Sequence, residues 1–125
     1  YDMSGLIVSN TTLARPDSLR SRFKGESGGL SGAPLFGPST EILREFYAAA
    51  NGRMPLIGVG GIASAQQAYT MIKAGASAVQ LYSALVYEGP ALAAKITKDL
   101  AARLKADGFH SVAEAVGTEK SAREI

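Results

Sequence analysis

The sequence predicts an α/β fold of parallel strand and helix units, patterned like the phosphate-binding end of a (β/α)8 barrel. Two stretches carry that expectation, Pro55-Leu56-Ile57-Gly58-Val59-Gly60-Gly61-Ile62 and Gly75-Ala76-Ser77-Ala78-Val79-Gln80-Leu81-Tyr82-Ser83. Each sets a short apolar strand directly before a turn whose backbone N–H groups suit an anion. Glycine lets the backbone at Gly60 and Gly61 approach a ligand that a Cβ would hold away, and the residues after Leu81 can open a short helix whose first N–H groups lack partners. A third apolar run, Gly5-Leu6-Ile7-Val8-Ser9-Asn10, stands near the start. The expected guest is a phosphate-bearing cofactor.

The elements follow in order. Residues 5–10 read as a strand of the kind buried on both faces of a parallel sheet. Residues 11–38 are too punctuated by glycine and proline for one regular element and long enough for a functional loop, with a short hairpin expected over 28–35. Ser39 or Thr40 can cap a helix to about residue 50, with Ile42, Leu43, Phe46 and Tyr47 inward and Asn51-Gly52 ending it. A strand over 56–59 follows Pro55. Ser64 starts a helix that packs through Ala65, Ala68, Tyr69 and Ile72 and stops at Gly75. Residues 78–81 form the third strand. A short helical turn runs from Ser83 through Val86, and after Gly89-Pro90 an amphipathic helix over 91–106 repeats Leu92, Ile96, Leu100 and Leu104 on one face until Gly108. A last short helix is expected over 112–116, and 119–125 read as a solvated or frayed tail.

Bulk properties narrow the function classes. With 125 residues and 46% hydrophobic content there is material for one small core, whereas a complete barrel needs about 250 residues. The formal charge is only +2, and the basic residues form no run or aromatic-interleaved patch, so no nucleic-acid partner is expected. There is no cysteine, so any redox chemistry needs a cofactor. No apolar run reaches the roughly 18 residues of a membrane span, and no signal peptide is expected before the first strand.

Several residues suit chemistry. Asn10 donates and accepts in one plane and Thr11 adds a hydroxyl, a pairing suited to a planar carboxylate, amide or imide; capping by short polar side chains explains them equally. Gly28-Gly29-Leu30-Ser31-Gly32 allows backbone to pass close under a flat ring at Gly32, or forms a tight turn needing positive φ. Gly60-Gly61 and Tyr82-Ser83 together suit one phosphate, with the backbone N–H of Tyr82 and the hydroxyl of Ser83 as donors. Neither the dinucleotide fingerprint nor a P-loop is present, since Gly58-Val59-Gly60-Gly61 has the wrong spacing. His110, the sole histidine, reads as a surface or packing residue, and no metal cluster is expected. Arg15, Arg20, Arg22 and Lys24 surround the first loop as anion-steering or merely exposed charges. Phe36, Phe46, Tyr47, Tyr69 and Tyr87 read as packing aromatics.

Four blocks in this order resemble dihydroorotate dehydrogenase: Gly5-Leu6-Ile7-Val8-Ser9-Asn10-Thr11-Thr12, Gly28-Gly29-Leu30-Ser31-Gly32-Ala33-Pro34-Leu35, Ile57-Gly58-Val59-Gly60-Gly61-Ile62, and the run from Gly75 to Ser83. The wording is most similar to the membrane-associated, quinone-dependent class 2 branch and extends through Asp107-Gly108-Phe109 and Ala113-Glu114-Ala115-Val116-Gly117. The resemblance implies the C-terminal three βα units, strands six to eight, of an FMN-containing (β/α)8 TIM barrel. It implies oxidation of (S)-dihydroorotate to orotate in de novo pyrimidine synthesis, with hydride leaving substrate C6, the C5 proton going to a serine base, and two electrons passing through FMN to ubiquinone or a related quinone. It places Asn10 and Thr11 on the dihydroorotate or orotate head, Ser9 near the flavin, Gly32 and Gly61 against FMN, and Tyr82-Ser83 at its phosphate, with Gly60 assisting.

The same resemblance places the catalytic serine, a lysine near the flavin and the amphipathic membrane- and quinone-binding region outside this chain. No catalytic residue is therefore assigned here, neither Ser31 nor Ser83. The expectation is a C-terminal portion of one barrel domain, inactive by itself, joined to a missing N-terminal barrel portion. Its expected location is at a bacterial inner membrane or mitochondrial inner membrane, by peripheral contact through the absent region. The alternatives are a fumarate- or NAD-dependent dihydroorotate dehydrogenase, another phosphate-binding TIM-barrel enzyme, or a non-catalytic half-barrel interaction subunit.

Overall fold

The computed structural model of the protein describes residues 3–119. Strands β1 (Leu6–Val8), β2 (Leu56–Val59) and β3 (Ala78–Gln80) form one parallel sheet in the order β1-β2-β3. Parallel neighbours need a crossover, supplied by helix α1 (Phe36–Ala50) between β1 and β2 and by α2 (Ala65–Lys73) between β2 and β3. Helices α3 (Ser83–Glu88), α4 (Ala91–Ala106) and α5 (Val112–Ala115) follow. The expected α/β architecture is thus present.

Strand alternation divides the side chains into two sets. Val8 and Leu56 are buried and pack with Leu43 of α1, Ala68 and Met71 of α2 and Leu92 and Ile96 of α4, while Leu6 and Val79 lie partly buried against this cluster. Gly58 sits at its centre, where a Cβ would lie 2.9 Å from Met71 Sδ and 3.2 Å from Ala76 Cβ. Ile7, Ile57 and Ala78 are paired across the sheet in the alternate register. A second cluster joins Tyr69, Ile72, Leu104 and Ala115, with Phe109, Val112 and Val116 packed against it.

Several elements differ from expectation. The first strand is shorter than 5–10 and is not covered on both faces: Ile7 is 53% exposed. No hairpin forms over 28–35. Leu30 instead exchanges backbone hydrogen bonds with Thr12 at 3.1 and 2.7 Å, and Ala33–Leu35 curl into a 3-10 turn that leads straight into α1. α1 therefore begins at Phe36 and takes Pro38 into its first turn, where a missing N–H leaves no helical bond unmade. Ser39 and Thr40 are not caps but lie inside the helix, buried. Because these two hydroxyl residues share the inward stripe with Leu43, the apolar Ile42 and Phe46 are pushed to its margin and remain 38% and 44% exposed.

The remaining signals held more closely. Asn51 ends α1 in the left-handed region at φ 47°, a conformation asparagine tolerates. Ser64 caps α2, its Oγ accepting the Gln67 N–H at 3.2 Å. α3 runs on to Glu88 and α5 stops at Ala115, where Val116 turns extended. His110 is exposed. Glu119 is not a solvated tail residue: its N–H donates to the Lys73 carbonyl at 3.0 Å, and its carboxylate accepts from Arg44 at 2.7 and 2.9 Å. Residues 120–125 of the expected tail lie outside the described residues.

Candidate cofactor and substrate site

Parallel strands carry their C-terminal ends to one edge of the sheet, and there a cavity of about 750 Å³ opens. Ser9, Asn10 and Thr11 reach it from the end of β1, Gly60 and Gly61 from the end of β2, and Tyr82 and Ser83 from the end of β3. Gly32, from the long first loop, completes the set of expected residues on the lining. Residues far apart in the chain are gathered because each helical crossover returns the chain to the same end of the sheet, so that all three strands run in the same direction.

The first loop is latched at both ends of this cavity. At one end Thr12 pairs with Leu30, and Thr11 sits so close to Gly29 that a Cβ on the glycine would overlap its side chain. At the other, Ser31 Oγ and Ser83 Oγ share a hydrogen bond of 2.9 Å. Gly32 takes φ 87°, and a Cβ there would meet only Ser83 Cβ, at 3.7 Å. Its glycine is thus required by backbone conformation.

Gly60 and Gly61 have a different explanation from the one the sequence suggests. Both adopt positive φ, 128° and 69°, and their missing Cβ atoms would run into the start of α1: Ser39 for Gly60, and the Phe36 backbone N at 2.6 Å for Gly61. The pair is glycine because the turn is packed tightly from behind. The ligand-facing side gains a closely supported backbone as a result.

Asn10 and Thr11 are exposed to the cavity. Asn10 Oδ1 accepts the Thr11 N–H at 2.8 Å, which fixes the amide plane; the Asn10 Nδ2 donors have no protein partner among the described residues. Tyr82 points its side chain into solvent, 80% exposed, and its carbonyl accepts the Leu85 N–H at 3.0 Å as α3 starts. The opening turn of α3 leaves N–H groups of Ser83 and Ala84 without intrahelical acceptors.

Among the described residues the lining holds no Lys or Arg, and Glu88 is its charged member. None of the loop cations Arg15, Arg20, Arg22 and Lys24 lines the cavity. Arg15 donates to the carbonyls of Leu13, Lys24, Glu26 and Gly28, holding the loop together, and Arg22 lies 4.5 Å from the Phe23 ring centre. Tyr87, read as a packing aromatic, is 85% exposed on the cavity rim, whereas Tyr47 and Tyr69 do pack. Away from the cavity, burial and then the hydrogen bond to Asp107 push the Tyr69 phenol up to about 12. The hydrogen bond from Arg44 holds the Glu119 carboxyl below its usual range and raises Arg44 in return.

Sequence reasoning missed Gln67, Gln80 and Ser39. Gln67 lines the cavity while its Oε1 accepts the Ala63 N–H at 2.8 Å; the Ser64-to-Gln67 capping spacing was a usable signal. Gln80 lines it as well, a polar residue breaking an apolar strand. Ser39 carried no signal beyond its capping propensity.

A family model described as dihydroorotate dehydrogenase matches residues 1–104. The chain is 66% identical over 117 residues to dihydroorotate dehydrogenase (quinone) of Azorhizobium caulinodans, covering 94% of this chain and 33% of that protein. It is 48% identical over 117 residues to the mitochondrial dihydroorotate dehydrogenase (quinone) of Mus musculus, covering 94% and 30%. The structure superposes on that of Eimeria tenella DHODH in complex with ferulenol with a TM-score of 0.90 at 43% identity, covering 94% of this chain and 31% of that one. The chain belongs to the dihydroorotate dehydrogenase family, and it spans about a third of the length of the curated relatives it matches.

Proposed function

We propose that this chain, as a member of that family, forms the flavin-phosphate and substrate-head end of a quinone-dependent dehydrogenase that oxidises (S)-dihydroorotate to orotate in de novo pyrimidine synthesis. The observation that carries the reading is the convergence of Asn10-Thr11, Gly60-Gly61 and Tyr82-Ser83 on one cavity, with Gly32 latched between the first and the last. The relatives that carry the word quinone in their names support the choice of acceptor.

The donor set fits FMN. A cavity of about 750 Å³ lies within the roughly 300–1,000 Å³ of cofactor sites. Backbone N–H groups of Gly61, Tyr82 and Ser83 and the Ser83 hydroxyl would hold the phosphate, its charge resting on amide dipoles because no Lys or Arg is among the described lining residues. The Gly32 and Gly60 backbone and Ser9 would lie along the ring. When bound, FMN supplies the means of taking an electron pair from the substrate and passing it on. Asn10 and Thr11 would hold the planar substrate head through the free Nδ2 donors and the threonine hydroxyl, so that binding at the head orients the carbons that react. The base that takes the proton is assigned outside this chain.

The reading requires the N-terminal part of the barrel to cover the exposed Ile7 face of the sheet. Quinones reside in lipid, so it places the complete protein peripherally at a bacterial or mitochondrial inner membrane, through a region outside this chain. No helix among the described residues is long and apolar enough to cross a membrane. The test is to purify the complete polypeptide, quantify FMN by absorbance and mass spectrometry, and assay dihydroorotate-dependent reduction of ubiquinone, fumarate and NAD+ in parallel. Stoichiometric FMN with quinone turnover is expected. Turnover with fumarate or NAD+ alone would reassign the acceptor, and a flavin-free protein that binds inorganic phosphate would point to another barrel enzyme.

A further inference from the structure

We propose, resting on the flavin site just described, that Ser39 is a positioning residue that sets Ser9 and the Gly60-Gly61 turn at a common height from behind the cavity. A serine inside a helix usually faces water or bonds back to the preceding turn. Thr40 does the latter, its hydroxyl donating to the Phe36 carbonyl at 2.6 Å. Ser39 does neither: it is 1% exposed, and its hydroxyl shares a hydrogen bond of 3.3 Å with the Ser9 hydroxyl.

The same side chain carries the turn after β2. A Cβ on Gly60 would come within 2.9 Å of Ser39 Cβ, so Gly60 rests directly on it. The Ser9 N–H donates to the Val59 carbonyl at 3.4 Å, which closes a triangle of Ser9, the Val59-Gly60 backbone and Ser39. Ser9 and Gly60 line the cavity and Ser39 does not. A buried hydroxyl at that apex links two ligand-facing segments from different strands, and it is chemically matched to Ser9, its one side-chain partner among the described residues.

The experiment compares wild type, S39A, S9A and the S9A/S39A double variant in the complete polypeptide, reading FMN Kd, the visible flavin spectrum, dihydroorotate KM and Tm. A lost neutral hydrogen bond corresponds to about threefold to tenfold, so S39A should weaken FMN by that factor and raise KM, with Tm falling by no more than the loss of that one bond allows. The double variant should be no weaker than the weaker single, because both variants remove the same bond. S39A with wild-type FMN Kd, spectrum and KM overturns the proposal, as do S39A and S9A losses that multiply. If S39A fails to fold, S39C repeats the test with a thiol that fills the site but bonds weakly. Wild type without FMN removes the flavin reading and this inference together, whereas normal wild type with an indifferent S39A removes this inference alone.

Discussion

The two faces of the sheet share three strands yet are finished differently. On the helix face Val8 and Leu56 are almost fully buried, at 2% and 1%, under α1, α2 and α4. On the other face Ile7 stands 53% exposed beside a half-buried Ile57, although β1 is no less apolar there. The helix face is packed so closely that a methyl group on Gly58 would lie 2.9 Å from Met71 Sδ and 3.2 Å from Ala76 Cβ, whereas at the cavity edge the Asn10 Nδ2 donors have no partner among the described residues and the turns are exposed. One face holds the fold together, and the other leaves Ile7 exposed on the cavity lining. Substitutions on the first should move stability, and substitutions on the second should move binding.

The sharpest way to break that division is Leu43→Ala, at a residue with 0% exposure. It should cost about 2–5 kcal/mol in denaturant unfolding of the complete protein, and a loss below 1 kcal/mol would show that the helix face is not the main support. Gly61→Ala tests the junction of the two regions. Its φ of 69° and the Phe36 backbone behind it should cost at least about 1–2 kcal/mol and lower FMN affinity as well; an effect on only one readout would separate the regions more sharply than the structure does.

Tyr69→Phe stays on the helix side, where it removes a buried hydrogen bond to Asp107 at a cost of about 1 kcal/mol. Because the folded phenol is raised from 10.0 to about 12, it contributes stability that is complete below pH 10 and lost as pH climbs towards 12. Urea midpoints measured across that window should fall in wild type and flatten in Tyr69→Phe. On the cavity side, Ser83→Ala should weaken FMN by about threefold to tenfold with Tm unmoved. The smallest effect belongs to Glu119→Gln, which removes a half-exposed pair with Arg44 and should cost under about 1 kcal/mol. Its folded carboxyl is lowered, so the contribution is present above the ordinary carboxylate pKa and disappears as pH falls through the lowered one. Acid titrations of the two proteins should converge at the low end.

The elements that were legible have strong local signals. α4 and β2 occupy the residues their patterns marked, 91–106 and 56–59, because a repeated apolar stripe and a proline-bounded apolar run leave few alternatives. Ser64 and Asn51 were readable as a cap and a stop for the same local reason. The start of α1 was not. Gly37, Pro38, Ser39 and Thr40 look like loop and cap, and only the folded contacts allow two hydroxyls to be buried in a helix: Ser39 packs under Gly60 and bonds to Ser9, and Thr40 bonds to the Phe36 carbonyl.

By itself the sequence determined the α/β class, the order of strands and helices, and that the turns at Asn10-Thr11, Gly60-Gly61 and Tyr82-Ser83 follow the strands, since these follow from periodicity, turn chemistry and the rule that parallel strands end on one edge; Gln67, Gln80 and Tyr87 joined the lining only in the structure. Only the tertiary structure decided why Gly60 and Gly61 are glycine, that Leu30 pairs with Thr12, that Arg15 holds its own loop, and that Glu119 closes onto Arg44. Each of these joins residues far apart in the chain through contacts a few ångströms long, and periodicity along the chain does not encode distance across it.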